Sequence, residues 1–274
     1  LNARYKFNYT PNTKKFKNEP PSFKNRFIIH LVCLIPIILG FLIPVLFIIN
    51  NVIYEFSRID FIKVFNLTTN TVIISLIATL IILVIAVYFQ FLKRILKNRT
   101  ITFFNEVISL TYALPGAVIG LSLILLFTSY PFENELLIGS FGILVYAYVI
   151  RYMAVGISPL KSSFDKHPSS YDDTAFNLGM GPTKLFRSIH LPINKSAIAI
   201  AFLITFVDII KELPITLILR PFNFDTLAVQ TYEYAIEEMI PKSSIYSLAI
   251  VMLGTILLIF FNKNVNKEID VPRS

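Results

Sequence analysis

The sequence predicts an all-α membrane protein of about six transmembrane helices. Three observations carry that prediction. Of 274 residues, 55% are hydrophobic and 15% charged, where an average soluble domain has about 25% charged residues. The apolar residues gather into runs near the ~20 residues that a bilayer span requires. These cover 27–50, 67–92, 101–128, 136–157, 196–219 and 245–261, the last of them short. The basic residues fall asymmetrically around the runs. Lipid offers no partners to backbone N–H and C=O groups, so a span is a helix or part of a closed barrel. These runs are far longer than barrel strands and do not alternate, so they read as helices.

Taken in order, residues 1–26 are polar and basic, with a Pro20-Pro21 pair. They read as a cytoplasmic linker or tail. A start at Leu1 rather than Met is what a half cut from a longer polypeptide would show. The first apolar run is too long for the core of a secretory signal and lacks a small-x-small cleavage site. Cys33 lies in that run. A single cysteine closes no intrachain disulfide and builds no thiolate cluster, so it reads as a small packing residue. With the N-terminus in the cytoplasm, segments 1–26, 92–100, 158–195 and 262–274 fall inside and hold nineteen of the 25 Lys and Arg. Segments 54–66, 129–136 and 221–244 fall outside and hold three. This is the positive-inside pattern, and it puts both termini in the cytoplasm. The domain plan is a linker at 1–26, a membrane domain at 27–261 and a tail at 262–274. The formal charge of +8 is spread over these loops, which argues against a nucleic-acid partner.

Charges inside the spans are few. Asp208, Lys211 and Glu212 lie in the fifth run, with Pro214 bending its end. A charge at mid-membrane costs about 2.5–3.5 kcal/mol on insertion scales, so such groups turn to a bundle interior, a cavity or a partner. Asp208 and Lys211 are spaced to pair. A packing or gating role is preferred to direct ion ligation, because a lysine sits among the acids. Arg151, in the fourth run, is expected to snorkel to the interface.

Enzyme signatures are missing. His30, His167 and His190 form no metal-ligating spacing. The string Gly179–Lys184, GMGPTK, lacks the spacing of a phosphate-binding loop. No catalytic constellation emerges, and no metal ligands are assigned. The acids of the last outer segment (Asp225, Glu233, Glu237 and Glu238) read equally well as an exposed helix face.

The polar loop at 158–195 is the most informative segment. Ser170, three residues before Asp173, suggests a capped helix start. A short helix over 171–178 follows. Gly179 suits the left-handed residue that ends a helix, and Pro182 the first position of the next. Leu185, Phe186 and Ile189 share one face of that second helix, and Pro192 closes it. The bland reading is an ordinary loop that happens to be helical. Long ordered loops, however, usually bind something, and an amphipathic helix is a natural ligand for a groove.

These residues resemble the EAA loop of binding-protein-dependent ABC importer permeases: E-A-A, three residues, Gly, nine residues, Ile-x-Leu-Pro. Asp173, Thr174 and Ala175 fall on E-A-A, then Gly179, then Ile189, Leu191 and Pro192. The spacing is complete. Asp for Glu shortens the reach of the carboxylate, and Thr replaces Ala. The stretch 206–238, with Lys211-Glu212-Leu213-Pro214, is similar to the ferric-iron branch, and 1–26 with the first run resembles the start of the second half of its fused permeases.

The resemblance implies a type I importer bundle in the bacterial inner membrane. The chain itself would carry no cofactor, with ATP and Mg on partner ATPase subunits. A second permease half and an extracytoplasmic binding protein would complete the assembly. The coupling loop would comprise Asp172, Asp173, Thr174, Ala175, Gly179, Leu185, Phe186, Ile189, Leu191 and Pro192. Asp173 would meet a basic residue of the ATPase, and the Leu185/Phe186/Ile189 face would pack in or near its groove. Asp208, Lys211, Glu212 and Pro214 would be pathway or gate candidates. Sulfate, molybdate, thiamine and polyamine importers share the loop and are alternative substrate classes. A channel or scaffold without ATP coupling is a further alternative, for which the loop would have no purpose.

Overall fold

A computed structural model describes residues 22–96, 98–129 and 139–269. The expected linker over 1–21, the start of the expected span at 136 and the last five residues lie outside them. All regular structure among the described residues is helical. The chain divides into two compact units, Leu1–Phe47 and Ile48–Ser274.

Helix α1, Phe23–Ile37, passes through a π-helical turn at Ile38–Leu42 into α2, Ile43–Glu55. The turn precedes Pro44, whose ring would clash with the carbonyl four residues back in a regular helix. Together with a 3-10 turn at Phe56–Arg58 they make up a continuous apolar helical stretch of 36 residues. In the first unit the described side chains are almost all exposed, as suits a lipid-facing span.

Helix α3, Phe61–Leu96, has 36 residues. The Asp60 carboxylate accepts from the Lys63 N–H at its start. At 1.5 Å per residue α3 is about 54 Å long, well beyond a hydrocarbon core of ~30 Å. Its last turn carries Lys93 and Arg94.

The expected third span, 101–128, is not one helix. It is α4, Arg99–Leu110, a 3-10 turn at Thr111–Ala113, and α5, Gly116–Thr128, bent by 109°. Pro115 lacks an N–H and forces Leu114 into an extended conformation, ψ 133°, which ends the helix. Helix α6, Phe141–Lys166, is capped by the Ser140 hydroxyl, which accepts from the Ile143 N–H. The expected fifth span, 196–219, is also broken. Helix α10, Lys195–Ile210, stops before Pro214, where the short α11, Pro214–Leu219, begins. Helix α12, Leu227–Ile236, and α13, Ile240–Ile269, complete this end of the chain. The last helix is longer than the expected 245–261. Among the described residues, four helices are long and apolar enough to span, or up to six if each bent pair counts as one.

Helices α3, α6 and α10 build the core, around Ile74, Ala78, Ile82, Ala86, Leu144, Tyr148, Ile157 and Ile209. The buried side of α3 carries Ala and hydroxyl residues, which let helix backbones approach closely where lipid supplies no hydrophobic drive. A smaller cluster of Leu67, Leu227, Ile245 and Tyr246 fastens α12 to α3 and α13.

Candidate functional site: the coupling loop and the buried charges

Between α6 and α10 the chain forms α7, Ser170–Asn177, α8, Pro182–Leu185, a π-helical turn at Phe186–His190, and α9, Leu191–Ile193. The N-cap of α7 is Ser169, whose side chain makes no capping bond, so the expected cap at Ser170 does not form. Gly179 takes φ +75°. Its N–H donates to the Phe176 carbonyl at 2.9 Å, and the Met180 N–H to that of Ala175 at 3.0 Å. This is a Schellman ending, and the left-handed residue it needs favours glycine. Pro192 stands next to the end of the second helix. The helical stretch that starts at Pro182 runs through the π turn to Ile193, one residue past Pro192, and the chain then bends by 70° into α10.

The inner face of this loop is covered by the chain itself. Leu185 is 0% exposed and Ala175 3%, packed with Phe91 of α3 and Phe164 of α6. Phe186 and Ile189 pack against that cluster. Leu185 and Phe186, expected to enter a partner's groove, therefore turn inward against the overhanging end of α3, while Ile189 lies half-buried at the edge. Asp172 is buried too. Its Oδ2 accepts from Arg94 Nε at 2.6 Å, and its Oδ1 from His190 Nε2 at 2.7 Å. The carboxylate only accepts, so the imidazole carries its proton on Nε2. Arg94 also donates to the carbonyls of Phe164 at 2.6 Å, His167 at 3.0 Å and Pro168 at 2.7 Å. The His190 ring lies against Phe91 and stacks on Phe164, 5.5 Å between centroids. Burial lowers the His190 pKa from its ordinary value, and Asp172 opposes this. His167 is lowered as well, by burial and then by the charge of Arg94.

The outer face is open. Asp173, Thr174, Tyr171, Phe176 and Leu178 are exposed, Leu178 at 75%. Tyr171, Thr174, Leu178, Met180 and Ile189 help line a shallow, largely apolar groove of about 400 Å³. Leu191 is half-buried and Pro192 exposed.

The intramembrane charges separate into two groups. Lys211 Nζ lies 2.9 Å from Asp208 Oδ1. Asp208 lines a cleft of about 490 Å³ with Ser109, Tyr112, Ser158 and Lys161. Glu212 faces elsewhere and is 5% exposed. It accepts from the Tyr152 hydroxyl and, at 3.1 Å, from the Ile215 N–H, a free donor at the start of α11. Arg151 does not snorkel. Its Nε lies 3.5 Å from Glu212 Oε2, and its Nη1 donates to the Leu114 carbonyl at 2.8 Å. One ion pair thus serves both proline breaks. Beyond α11, Arg220 pairs with Asp225 and, at 2.9 Å, with Glu233, so two of the outer acids are neutralised locally.

Arg94 and Arg220 were not singled out by the sequence. Arg94 sits 78 residues from Asp172, and no local spacing connects them. Arg151 carried a signal: an ionisable residue in a span calls for a partner of opposite charge, and Glu212 was available.

Among known proteins, the chain is similar to the Fe(3+)-transport system permease protein FbpB 2 of Haemophilus influenzae. It is 25% identical over 204 residues, 74% of this chain and 40% of that relative. It is also similar to the maltose/maltodextrin transport system permease protein MalG of Photorhabdus laumondii, 31% identical over 94 residues, and of Escherichia coli, 32% over 94. Those matches cover 34% of this chain and 31% of each relative. The chain spans well under half the length of the curated relatives it matches. A broader pattern covers residues 97–271, which include the helix–glycine–helix loop and both proline breaks. On that match the chain belongs to the family of binding-protein-dependent transport system inner membrane components, a family of multi-pass transport permeases.

Proposed function

We propose that this chain is a permease subunit, or half, of an ATP-driven importer that carries ferric iron delivered by an extracytoplasmic binding protein. The observation that carries the reading is the loop at 170–193. It is ordered and anchored on one side, and on the other it presents Asp173 among exposed apolar residues. That is the form a docking element for a separate ATPase takes. Hydrolysis would occur on that partner. A second permease half would face this one across the cleft at Asp208. The asymmetry of the basic residues supports a cytoplasmic position for the loop and both termini. Iron is supported by the long similarity to the iron permease. The maltose permeases match over a shorter stretch and support the transporter class rather than a sugar.

Uptake of iron supplied on its binding protein is the direct test. Deleting the chain should abolish it, and Asp173→Lys should abolish it together with co-purification of the ATPase. Normal iron uptake with impaired uptake of an anion or a vitamin would move the substrate to another class. Single cysteines at 180 and 237 report orientation. The first should be shielded from an impermeant thiol reagent in intact cells and the second labelled.

A further inference from the structure

A loop that couples a motor to a membrane bundle has two tasks, holding the motor and passing on its displacement. In this chain the tasks fall on opposite faces of one short helix. Asp173 and its exposed neighbours face out, and Asp172 faces in.

We infer that Arg94, Asp172 and His190 form a transmission latch: positioning residues that join the coupling loop to α3, α6 and α10, so that a displacement of α7 reaches all three. The inference rests on the proposed coupling function and adds the residues that carry the force inward. The guanidinium has five N–H groups in a fixed fork. Nε takes Asp172 of α7, Nη1 the carbonyls of Phe164 and His167, and Nη2 that of Pro168. Those of Phe164 and His167 belong to the last turn of α6 and its exit, where carbonyls lack intrahelical donors, and that of Pro168 also accepts from the Tyr171 N–H. The second oxygen of Asp172 then reaches His190. His190 stands in the π-helical turn that leads to α10, and its carbonyl accepts from the buried Asn194 side chain at the 70° bend. One arginine at the overhanging end of α3 is therefore bonded to α6 and α7 directly, and to the root of α10 through a single carboxylate. Three buried neighbours, Phe91, Phe164 and Leu185, screen the Asp172 end of the network from water, and charge-assisted bonds are stronger in such an interior than in water.

The outward residues and the latch make opposite demands on an experiment. Permease and ATPase are co-purified, reconstituted and assayed for hydrolysis with and without the loaded binding protein. Arg94→Lys keeps the charge but loses the fork. It should retain the wild-type amount of ATPase and its basal hydrolysis, while stimulation by the binding protein and uptake both fall roughly tenfold or more, as expected for losing several charge-assisted bonds at once. His190→Leu should uncouple in the same way. His190→Gln, whose amide can still donate to Asp172, should stay within about twofold of wild type. This pair tests the latch even if Arg94→Lys fails to insert. Loss of ATPase from both Arg94→Lys and His190→Leu would overturn the inference, since the network would then only present the loop. Unchanged stimulation in both would overturn it as well. A wild-type chain that binds no ATPase would instead overturn the functional reading on which the latch rests.

Discussion

Two glycines show how a single residue's cost depends on what surrounds it. Around Gly179 an added Cβ would meet nothing within 4 Å, so Gly179→Ala pays only for its left-handed backbone, about 1–2 kcal/mol. Gly116 has ordinary backbone angles, yet an added Cβ would lie 2.8 Å from Glu212 Oε1 and 2.9 Å from Arg151 Nη1. Gly116→Ala must push apart a buried ion pair, and overpacking of this kind costs about 1–3 kcal/mol. Thermal unfolding of the purified permease in detergent should show both losses. They should differ in a second respect: coupling to the ATPase should survive Gly116→Ala and weaken in Gly179→Ala, because only Gly179 sets the angle between the two loop helices. A Gly179→Ala permease with full stimulated hydrolysis would show that the angle does not matter.

At the scale of the element, the breaks in the spans are held by side chains as much as by proline. Pro214 removes the donor that the Ile210 carbonyl would have met, but the start of α11 is fixed by Glu212, which accepts from Ile215 and faces Arg151. Pro214→Ala should therefore cost less than about 1 kcal/mol. Glu212→Leu leaves a largely buried arginine without its partner, a change that costs about 3–5 kcal/mol in closed interiors. Unfolding temperatures of the two variants should separate in that order, and equal losses would mean that proline alone makes the break. The loop helices were legible in the sequence because Gly179 and Pro182 are local signals with fixed positions relative to a helix end. The break at Pro115 was equally available in Leu114-Pro115-Gly116, but an apolar run read by hydropathy alone passes over it. The side of the loop that faces a partner was not legible. Periodicity places Leu185, Phe186 and Ile189 on one face but cannot say whether that face meets another protein or the overhang of α3, 90 residues earlier in the chain. Contacts of that range, such as Arg94 with Asp172, leave no trace in local spacing.

For the whole molecule, hydropathy reveals the all-α membrane architecture because membrane solvation acts on every residue of a span at once, whereas the details rest on single pairs. The Arg151–Glu212 pair joins α6 to a chain segment that leaves the ribosome 61 residues later. This distance has a consequence for biogenesis. Arg151 lies near the middle of α6, and until α10 and its end have emerged it enters the bilayer without a counter-charge, at a cost of about 2.5–3.5 kcal/mol on insertion scales. The fourth span should thus remain only provisionally committed to the membrane while the rest of the chain is made. Chains truncated after Ile209 should place α6 across the membrane less often than chains extended to Leu219, as read by glycosylation sites flanking it, and Arg151→Leu should abolish the difference. The order of synthesis would then itself act as a checkpoint, in which the arrival of one acidic residue completes the insertion of a helix already made.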